Sequence, residues 1–108
     1  DSAQLQQVFL NILNNAFDAI GNDGAVTIST SRGGGQLAVE FADNGPGLSE
    51  EGLKKVFEPF FTTKKAGSGT GIGLAISYSI VERLGGGIEV RNGRQGGCVF
   101  RVHFPLPA

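Results

Sequence analysis

The sequence predicts an α/β two-layer sandwich, of the α+β kind, in which three helices cover one face of a mixed, mostly antiparallel sheet. Three observations support this prediction. The segments follow in the order helix, strand pair, irregular stretch, helix, strand pair. The strand segments alternate apolar and polar residues, which is typical of a sheet with one packed face and one wetter face. Two long helices and one short helix are enough to cover a single face.

Size and composition favour one soluble globular domain over residues 1–108. Of these residues 40% are hydrophobic and 18% charged, and two domains would each be too small to bury a core. A formal net charge of −1 argues against a nucleic-acid-binding surface. The single cysteine, Cys98, excludes an internal disulfide and a cysteine-based zinc site. No apolar run is long enough to cross a membrane, and we expect the sequence to be a piece of a longer protein.

The first half of the chain predicts a helix and a β-hairpin. Residues 3–20 place apolar side chains three and four positions apart, the spacing of one helical face, and Ser2 is the expected N-cap. Residues 26–30 alternate with a period of two, which indicates a half-buried strand. A second strand is predicted at 37–42, and the glycines at 33–35 form the turn between the two.

The second half predicts a short helix, a long helix and two more strands. Ser49 is the expected N-cap of the short helix, which Pro59 ends. Residues 71–84 return to helical periodicity and stop at a run of three glycines. Strands are predicted at 88–91 and 99–104, with a glycine-containing turn between them.

Two polar motifs suggest ligand chemistry. Asn11, Asn15 and Asp18 share one stripe of the first helix. A solvated face explains this stripe, but amide oxygens also suit a hard cation such as Mg²⁺ that phosphates already hold. The turn 43–47 follows the second strand and begins with Asp43. It is either an ordinary turn or an acceptor for an exocyclic amine such as that of adenine, with glycines that let the backbone approach a flat ring.

A third motif alternates glycine with other residues from Gly67 to Gly73. It fits neither the dinucleotide fingerprint nor the P-loop, but it presents backbone N–H groups at the positive end of a helix, which is a cradle for an anion. A flexible linker is the alternative, and it does not explain why the glycines continue into a helical pattern. The fourth motif places three phenylalanines, within 57–61, close to Lys64. It is a hydrophobic cluster under a loop, or a lid whose Lys64 reaches phosphates. The clustering of all four lysines between residues 54 and 65 favours the lid.

The order of these four motifs resembles the ATP-binding catalytic domain of the two-component sensor histidine kinases. These kinases belong to the group that also holds the gyrase, Hsp90 and MutL ATPases. The resemblance extends from Gln7 to Pro105 and implies the Bergerat-type ATP-binding fold, with ATP and Mg²⁺ as ligands. In the family's terms the motifs are the N box (7–19), the first glycine box (43–47), the F box (57–61) and the second glycine box (67–74).

For the metal and the base, the resemblance implies the following roles. Asn15 would ligate the Mg²⁺ that bridges the ATP phosphates, with Asn11 nearby as a secondary polar contact. Asp43 would accept a hydrogen bond from the adenine amino group. Gly45 and Gly47 would form the wall of the adenine pocket.

For the phosphates, the resemblance implies an ATP lid at about 48–68, from which Lys64 approaches the nucleotide. The phosphate oxygens would be bound at the start of the second long helix. The residues implied there are Gly69, Thr70, Gly71, Gly73 and Leu74.

Asn11 stands where the gyrase and Hsp90 ATPases have a glutamate that activates water. Because an amide is a poor base, we expect phosphoryl transfer rather than hydrolysis. The resemblance therefore implies a protein histidine kinase domain that lies in the cytoplasm. Its parent protein can be anchored in a membrane by segments elsewhere in its sequence. The domain would transfer the γ-phosphoryl group to a histidine on a separate dimerisation domain, with a response regulator as indirect partner. Neither nucleic acid nor direct membrane contact is expected.

Two other functions remain open. One is a serine/threonine kinase of the anti-sigma type, which the run 57–61 disfavours because it resembles the histidine-kinase lid. The other is a nucleotide-sensing module without transferase activity.

Three positions need separate comment. Cys98 stands where many relatives have a threonine near the adenine, and Asp18 replaces a lysine found in many of these kinases. The pattern around Asp18 looks closer to the nitrogen-regulation branch. His103 points outward on the last strand beside Arg101, so we expect a surface or partner-facing residue rather than a phosphoacceptor.

Overall fold

A computed structural model of the chain describes residues 2–20, 24–58, 73–94 and 96–106. The elements follow in the predicted order. They are α1 (Ser2–Ile20), β1 (Val26–Gly33), β2 (Gln36–Asp43), α2 (Glu50–Lys55), α3 (Gly73–Arg83), β3 (Gly87–Asn92) and β4 (Cys98–Pro105). Within the described residues, no helix combines the length and the apolar character that a membrane span requires.

The four strands form one sheet in the order β1-β2-β4-β3, and every neighbouring pair is antiparallel. β4 is therefore inserted between β2 and β3. In this register Phe41 lies opposite Phe100, and Val39 lies opposite Val102. The apolar side chains of the two central strands therefore share one face, as the alternation predicted.

The helices cover that face and enclose the core. Val8 and Ile12 of α1 and Val81 of α3 are each 0% exposed. The ring of Phe9 lies 5.7 Å from that of Phe41, centroid to centroid, so α1 packs directly on β2. Phe57, just after α2, lies 6.1 Å from Phe100 on the same side of the sheet. The predicted fold class, an antiparallel sheet with helices on one face, is confirmed.

β1 does not have the half-buried face that its alternation predicted. Val26 is partly covered, but every residue from Thr27 to Gly33 is exposed, and Ile28 is 51% exposed. Ile28 lies opposite Phe41 and so points toward the helical side of the sheet. The prediction of half-burial is wrong because β1 is an edge strand, while the helices pack mainly over the strands beside it. Alternation reports where side chains point and not what covers them.

The helix boundaries differ in detail from those predicted. α1 begins at Ser2 itself, so Ser2 is not the residue that precedes the helix. The N-cap of α2 is confirmed, because Ser49 Oγ accepts the N–H of Gly52 at 3.0 Å. α2 ends at Lys55, before Pro59, which also lies outside the described residues.

The face of the sheet opposite the helices carries a chain of ion pairs. Glu40 lies 3.6 Å from both Arg91 and Arg101, and Arg101 lies 3.6 Å from Glu89. His103 shares this face, as predicted, with its Nε2 3.7 Å from Glu89. These side chains are between 24% and 67% exposed, so solvent screens the pairs and they add little to stability.

Candidate functional site

Two of the predicted motifs are in contact. These are the amide-bearing stripe of α1 and the glycine motif, which meets α1 through Gly73 at the start of α3. Asn11 Nδ2 donates to the carbonyl oxygen of Gly73 at 3.2 Å and to Ser77 Oγ at 3.1 Å. Ser77, which is 0% exposed, in turn donates to the Gly73 carbonyl at 3.0 Å. Three polar groups thus close a small network between the helices. Sequence reasoning missed Ser77, because a serine within an apolar helix looks like an ordinary helical residue.

This network limits what Asn11 can offer a ligand. The two N–H groups of its amide both have protein acceptors, and from the described residues no hydrogen bond reaches its acceptor oxygen Oδ1. Its predicted contact with a ligand stays a prediction. A Cβ at position 73 would lie 3.7 Å from Asn11 Cγ, an ordinary van der Waals contact, so packing against Asn11 does not by itself require glycine there.

Asn15 lies one helical turn beyond Asn11 and is half-buried. The described residues contain no group of three or more histidine, cysteine, aspartate or glutamate side chains that could hold a metal ion. The donor set in this part of the chain therefore matches a cation held mainly by ligand phosphates, with one amide oxygen from the protein. The amide oxygen of Asn15 fits such an ion, and its role as the metal ligand stays a prediction.

The carboxylate of Asp43 is held at the end of β2. Asp43 is 8% exposed, and its Oδ1 accepts the backbone N–H of Gly45 at 2.9 Å and that of Cys98 at 3.2 Å. Among the described residues no hydrogen bond reaches the second oxygen, Oδ2. Two donors on one oxygen fix the orientation of the carboxylate, and the other oxygen is left to accept from a ligand.

Gly97 brings β4 close enough for this contact. Its φ is +75°, and a Cβ there would collide with the backbone carbonyl of Asp43. Only glycine fits a position that has both a left-handed conformation and a neighbouring chain in the place of its side chain. The predicted glycine-containing turn before the last strand therefore serves to place the Cys98 amide on Asp43.

The thiol of Cys98 is buried, with the residue 5% exposed. Burial, and secondly the negative charge of Asp43, raise the pKa of Cys98 from 9.0 to about 12, although a hydrogen bond from the Val99 backbone acts in the opposite direction. The thiol is therefore protonated at neutral pH and is a weak nucleophile. What Cys98 contributes to Asp43 is its main-chain N–H, which a threonine at this position would also supply.

Gly47 faces protein on the side where a side chain would project. Its φ is +78°, and a Cβ would come within 2.8 Å of Asn92 Oδ1 and 3.1 Å of the Gly97 carbonyl. Asn92 also binds the backbone of Leu48, accepting from its N–H at 2.9 Å and donating to its carbonyl at 2.8 Å. Sequence reasoning missed Asn92, whose place before Gly93 indicated only a turn.

Several predicted site residues lie outside the described residues. These are Lys64, Gly69, Thr70, Gly71, and the part of the predicted lid and F box from residue 59 onward. Leu74, in the first turn of α3, is partly buried and packs against the core. The structure thus brings together Asn11, Gly73 and Ser77 on one side, and Asp43, Gly45, Gly47 and the start of β4 on the other.

Comparison with known proteins identifies the class to which this fold and site belong. A family model described as histidine kinase-, DNA gyrase B- and HSP90-like ATPase matches residues 1–108. The chain therefore belongs to this ATPase family, and the resemblance inferred from the four motifs is confirmed.

The relatives are more specific. Over 107 residues the chain is 39% identical to the sensor histidine kinase ZraS of Klebsiella oxytoca. The aligned region covers 98% of this chain but only 23% of ZraS. Among solved structures, the mycobacterial sensor histidine kinase MprB matches with a TM-score of 0.89 at 28% identity, covering 100% of this chain and 76% of the other. The nucleotide-free catalytic domain of histidine kinase ThkA matches with a TM-score of 0.87 at 37% identity, covering 97% and 68% respectively. The chain is thus similar to the ATPase domain of two-component sensor kinases.

Proposed function

We propose that this domain binds Mg·ATP and donates the γ-phosphoryl group to a histidine on a separate dimerisation domain of the same parent protein. The observation that carries the proposal is the meeting of α1 and α3 at Asn11 and Gly73. Because of this contact, the helix that bears Asn15 lies beside the helix start that the sequence predicts to bind phosphate. Membership in a family that binds ATP supports the same function.

Adenine recognition is assigned to the carboxylate at the end of β2. Oδ1 of Asp43 is held by two backbone N–H groups, which leaves Oδ2 as the oxygen that would accept a hydrogen bond from the adenine amino group. The main chain of Gly45 lies beside Oδ1, to which its N–H donates, and would form part of the pocket wall. Asparagine in place of Asp43 can orient its carboxamide in two ways. In one of them its NH₂ group faces the adenine amino group, so that two donors oppose each other.

Phosphate and metal binding are assigned to the two helices and to the segment between α2 and α3. Asn15 would hold Mg²⁺, which when bound neutralises charge on the phosphate oxygens. Lys64 would add a positive charge from the lid. Main-chain N–H groups of Gly73 and Leu74, in the first turn of α3, and of Gly69, Thr70 and Gly71, which precede it in sequence, would complete the anion site.

Transfer is favoured over hydrolysis by the chemistry of Asn11. A water molecule needs a base that removes its proton to become a nucleophile, and the Asn11 amide is not a base near neutral pH. Its N–H groups are also committed to α3. A site of this kind holds ATP until another nucleophile, here an imidazole, arrives in line with the γ-phosphate.

This chain spans about a quarter of the length of the ZraS relatives. The acceptor histidine is assigned to the part of the parent protein outside this chain. A response regulator is the next partner in the proposed sequence. This is supported by a solved structure of histidine kinase ThkA in complex with the response regulator protein TrrA. The chain is 33% identical to ThkA in that structure, with a TM-score of 0.84. The proposed location is the cytoplasm, where ATP and response regulators meet.

The test mixes this domain with the dimerisation domain of its parent and Mg·ATP radiolabelled at the γ-phosphate. We expect label on the dimerisation domain that is stable to base and labile to acid, as for phosphohistidine. A variant of the dimerisation domain without the acceptor histidine serves as control. Acid-stable label on serine would indicate the anti-sigma type of kinase instead. ATP binding without any label would indicate a nucleotide-sensing module.

A further inference from the structure

Asn92 forms a two-point contact with a segment distant in sequence. Its Oδ1 accepts the N–H of Leu48 at 2.9 Å, and its Nδ2 donates to the carbonyl of Leu48 at 2.8 Å. The two residues are 44 positions apart. A side-chain amide that satisfies both backbone groups of one residue holds that residue in position and orientation, as a neighbouring strand would. The contact therefore fastens the chain just after Gly47 to the end of β3.

The same contact adjoins the proposed adenine pocket. In the sheet Asn92 lies opposite Cys98, whose N–H donates to Asp43 Oδ1. Gly47 lies against both Asn92 Oδ1 and the Gly97 carbonyl, with no room for a Cβ. The turn from Asp43 to Leu48 is thus held at its beginning by the Cys98 amide and at its end by Asn92.

We propose that Asn92 is a positioning residue of the nucleotide site. Its amide holds Leu48, and through Leu48 it keeps Gly45 and Gly47 in the arrangement that faces the base. The proposal rests on the proposed function, because it assigns the turn after Asp43 to adenine recognition. Asn92 is assigned no contact with the base or the phosphates and acts through Leu48.

The experiment measures binding of ADP and GDP to the wild-type chain and to Asn92→Ala by calorimetry. Removing two hydrogen bonds is expected to weaken ADP binding by about tenfold. The preference for ADP over GDP is also expected to fall, because a misplaced turn discriminates less well between bases. Arg91→Ala is the matched control, since Arg91 is the preceding residue of β3 and points to the opposite face, where it pairs with Glu40. This control should keep the affinity and the preference of the wild type.

Asn92→Asp provides a second variant of nearly the same shape. Its carboxylate can still accept the Leu48 N–H, but the second oxygen faces the Leu48 carbonyl instead of donating to it. Binding of ADP at high salt, where the added charge is screened, should again be weakened. Amide exchange gives a local measure: the Leu48 N–H should lose protection in Asn92→Ala but keep most of it in Asn92→Asp, whose carboxylate still accepts it, while the Cys98 N–H keeps its protection in both variants.

The outcomes separate the two proposals. If the wild-type chain does not bind ADP, the proposed function is overturned and the role of Asn92 with it. If the wild type binds ADP and Asn92→Ala binds it equally well, only the role of Asn92 is overturned. That role is also overturned if Arg91→Ala weakens binding as much, or if ADP and GDP lose affinity in equal proportion, since either result indicates a general effect on β3.

Discussion

Asn11 and Gly73, which are 62 positions apart, are joined by a hydrogen bond of 3.2 Å from the Asn11 amide to the Gly73 carbonyl. Ser77 Oγ bridges the same two residues, accepting from Asn11 at 3.1 Å and donating to Gly73 at 3.0 Å. The N-terminal turn of α3 is therefore fastened to the middle of α1. Two motifs that are far apart in sequence become parts of one surface because of this polar network within an otherwise apolar helix interface.

Ser77→Ala should destabilise the fold by about 1–2 kcal/mol, because it removes one acceptor of the Asn11 amide and one donor to Gly73. Urea unfolding measures the loss. Ser79→Ala is the matched control, since Ser79 lies on the same helix and is exposed. Equal stability of Ser77→Ala and the wild type would show that the network does not fasten the helices.

Asp43→Asn should abolish nucleotide binding while leaving the fold intact. Its carboxamide oxygen can still accept the N–H groups of Gly45 and Cys98, but its NH₂ group then stands where the adenine amino group needs an acceptor. Asp43→Ala, by contrast, leaves both backbone donors without an acceptor and should cost about 2–4 kcal/mol of stability. Calorimetry and circular dichroism separate the two effects. Tight ADP binding by Asp43→Asn would remove the adenine role of this carboxylate.

Cys98 should make the fold less stable in alkali. Its pKa is raised from 9.0 to about 12 in the folded state, so between these values the unfolded state binds fewer protons than the folded state. The free energy of unfolding should therefore fall as the pH rises above about 9, by at most about 1.4 kcal/mol per pH unit. Below the unfolded-state pKa this contribution is fully present.

The measurement is urea unfolding of the wild type and of Cys98→Ser at neutral and alkaline pH. Because Cys98→Ser keeps the backbone N–H that Asp43 accepts, it should lack only the thiol's part of the decline. Identical pH dependence in the two proteins would contradict the prediction. Alkylation of the native wild type at neutral pH should be slow for the same reason, since the reactive form is the thiolate.

Asn15→Ala should weaken ATP binding in the presence of Mg²⁺ by about tenfold or more, and leave binding in a metal chelator unchanged. The reason is that the amide oxygen is assigned to the cation and not to the nucleotide. Asn14→Ala is the control, because Asn14 is the adjacent residue and is exposed. Equal losses with and without Mg²⁺ would show that Asn15 acts on the nucleotide or on the fold instead.

Much of the local structure could be predicted from the residues. The apolar spacing in α1, the N-cap Ser49 and the alternation in β2 and β4 depend on neighbours within a few positions, so they are readable in the sequence. The family was also accessible, because the four motifs occur in a diagnostic order. The exposure of β1 was not, since it depends on where the helices lie across the sheet.

The parts of the site that were missed have a common cause. Ser77 and Asn92 are small polar residues with no distinctive local pattern, and each acts through a partner more than 40 positions away. The sequence by itself determined the elements, their order and the residue types offered to a nucleotide. Only the tertiary structure decided which oxygen of Asp43 is engaged by protein, and which glycines are required by packing. Such contacts arise when distant segments are brought together by burial of the apolar face, and local periodicity does not encode them.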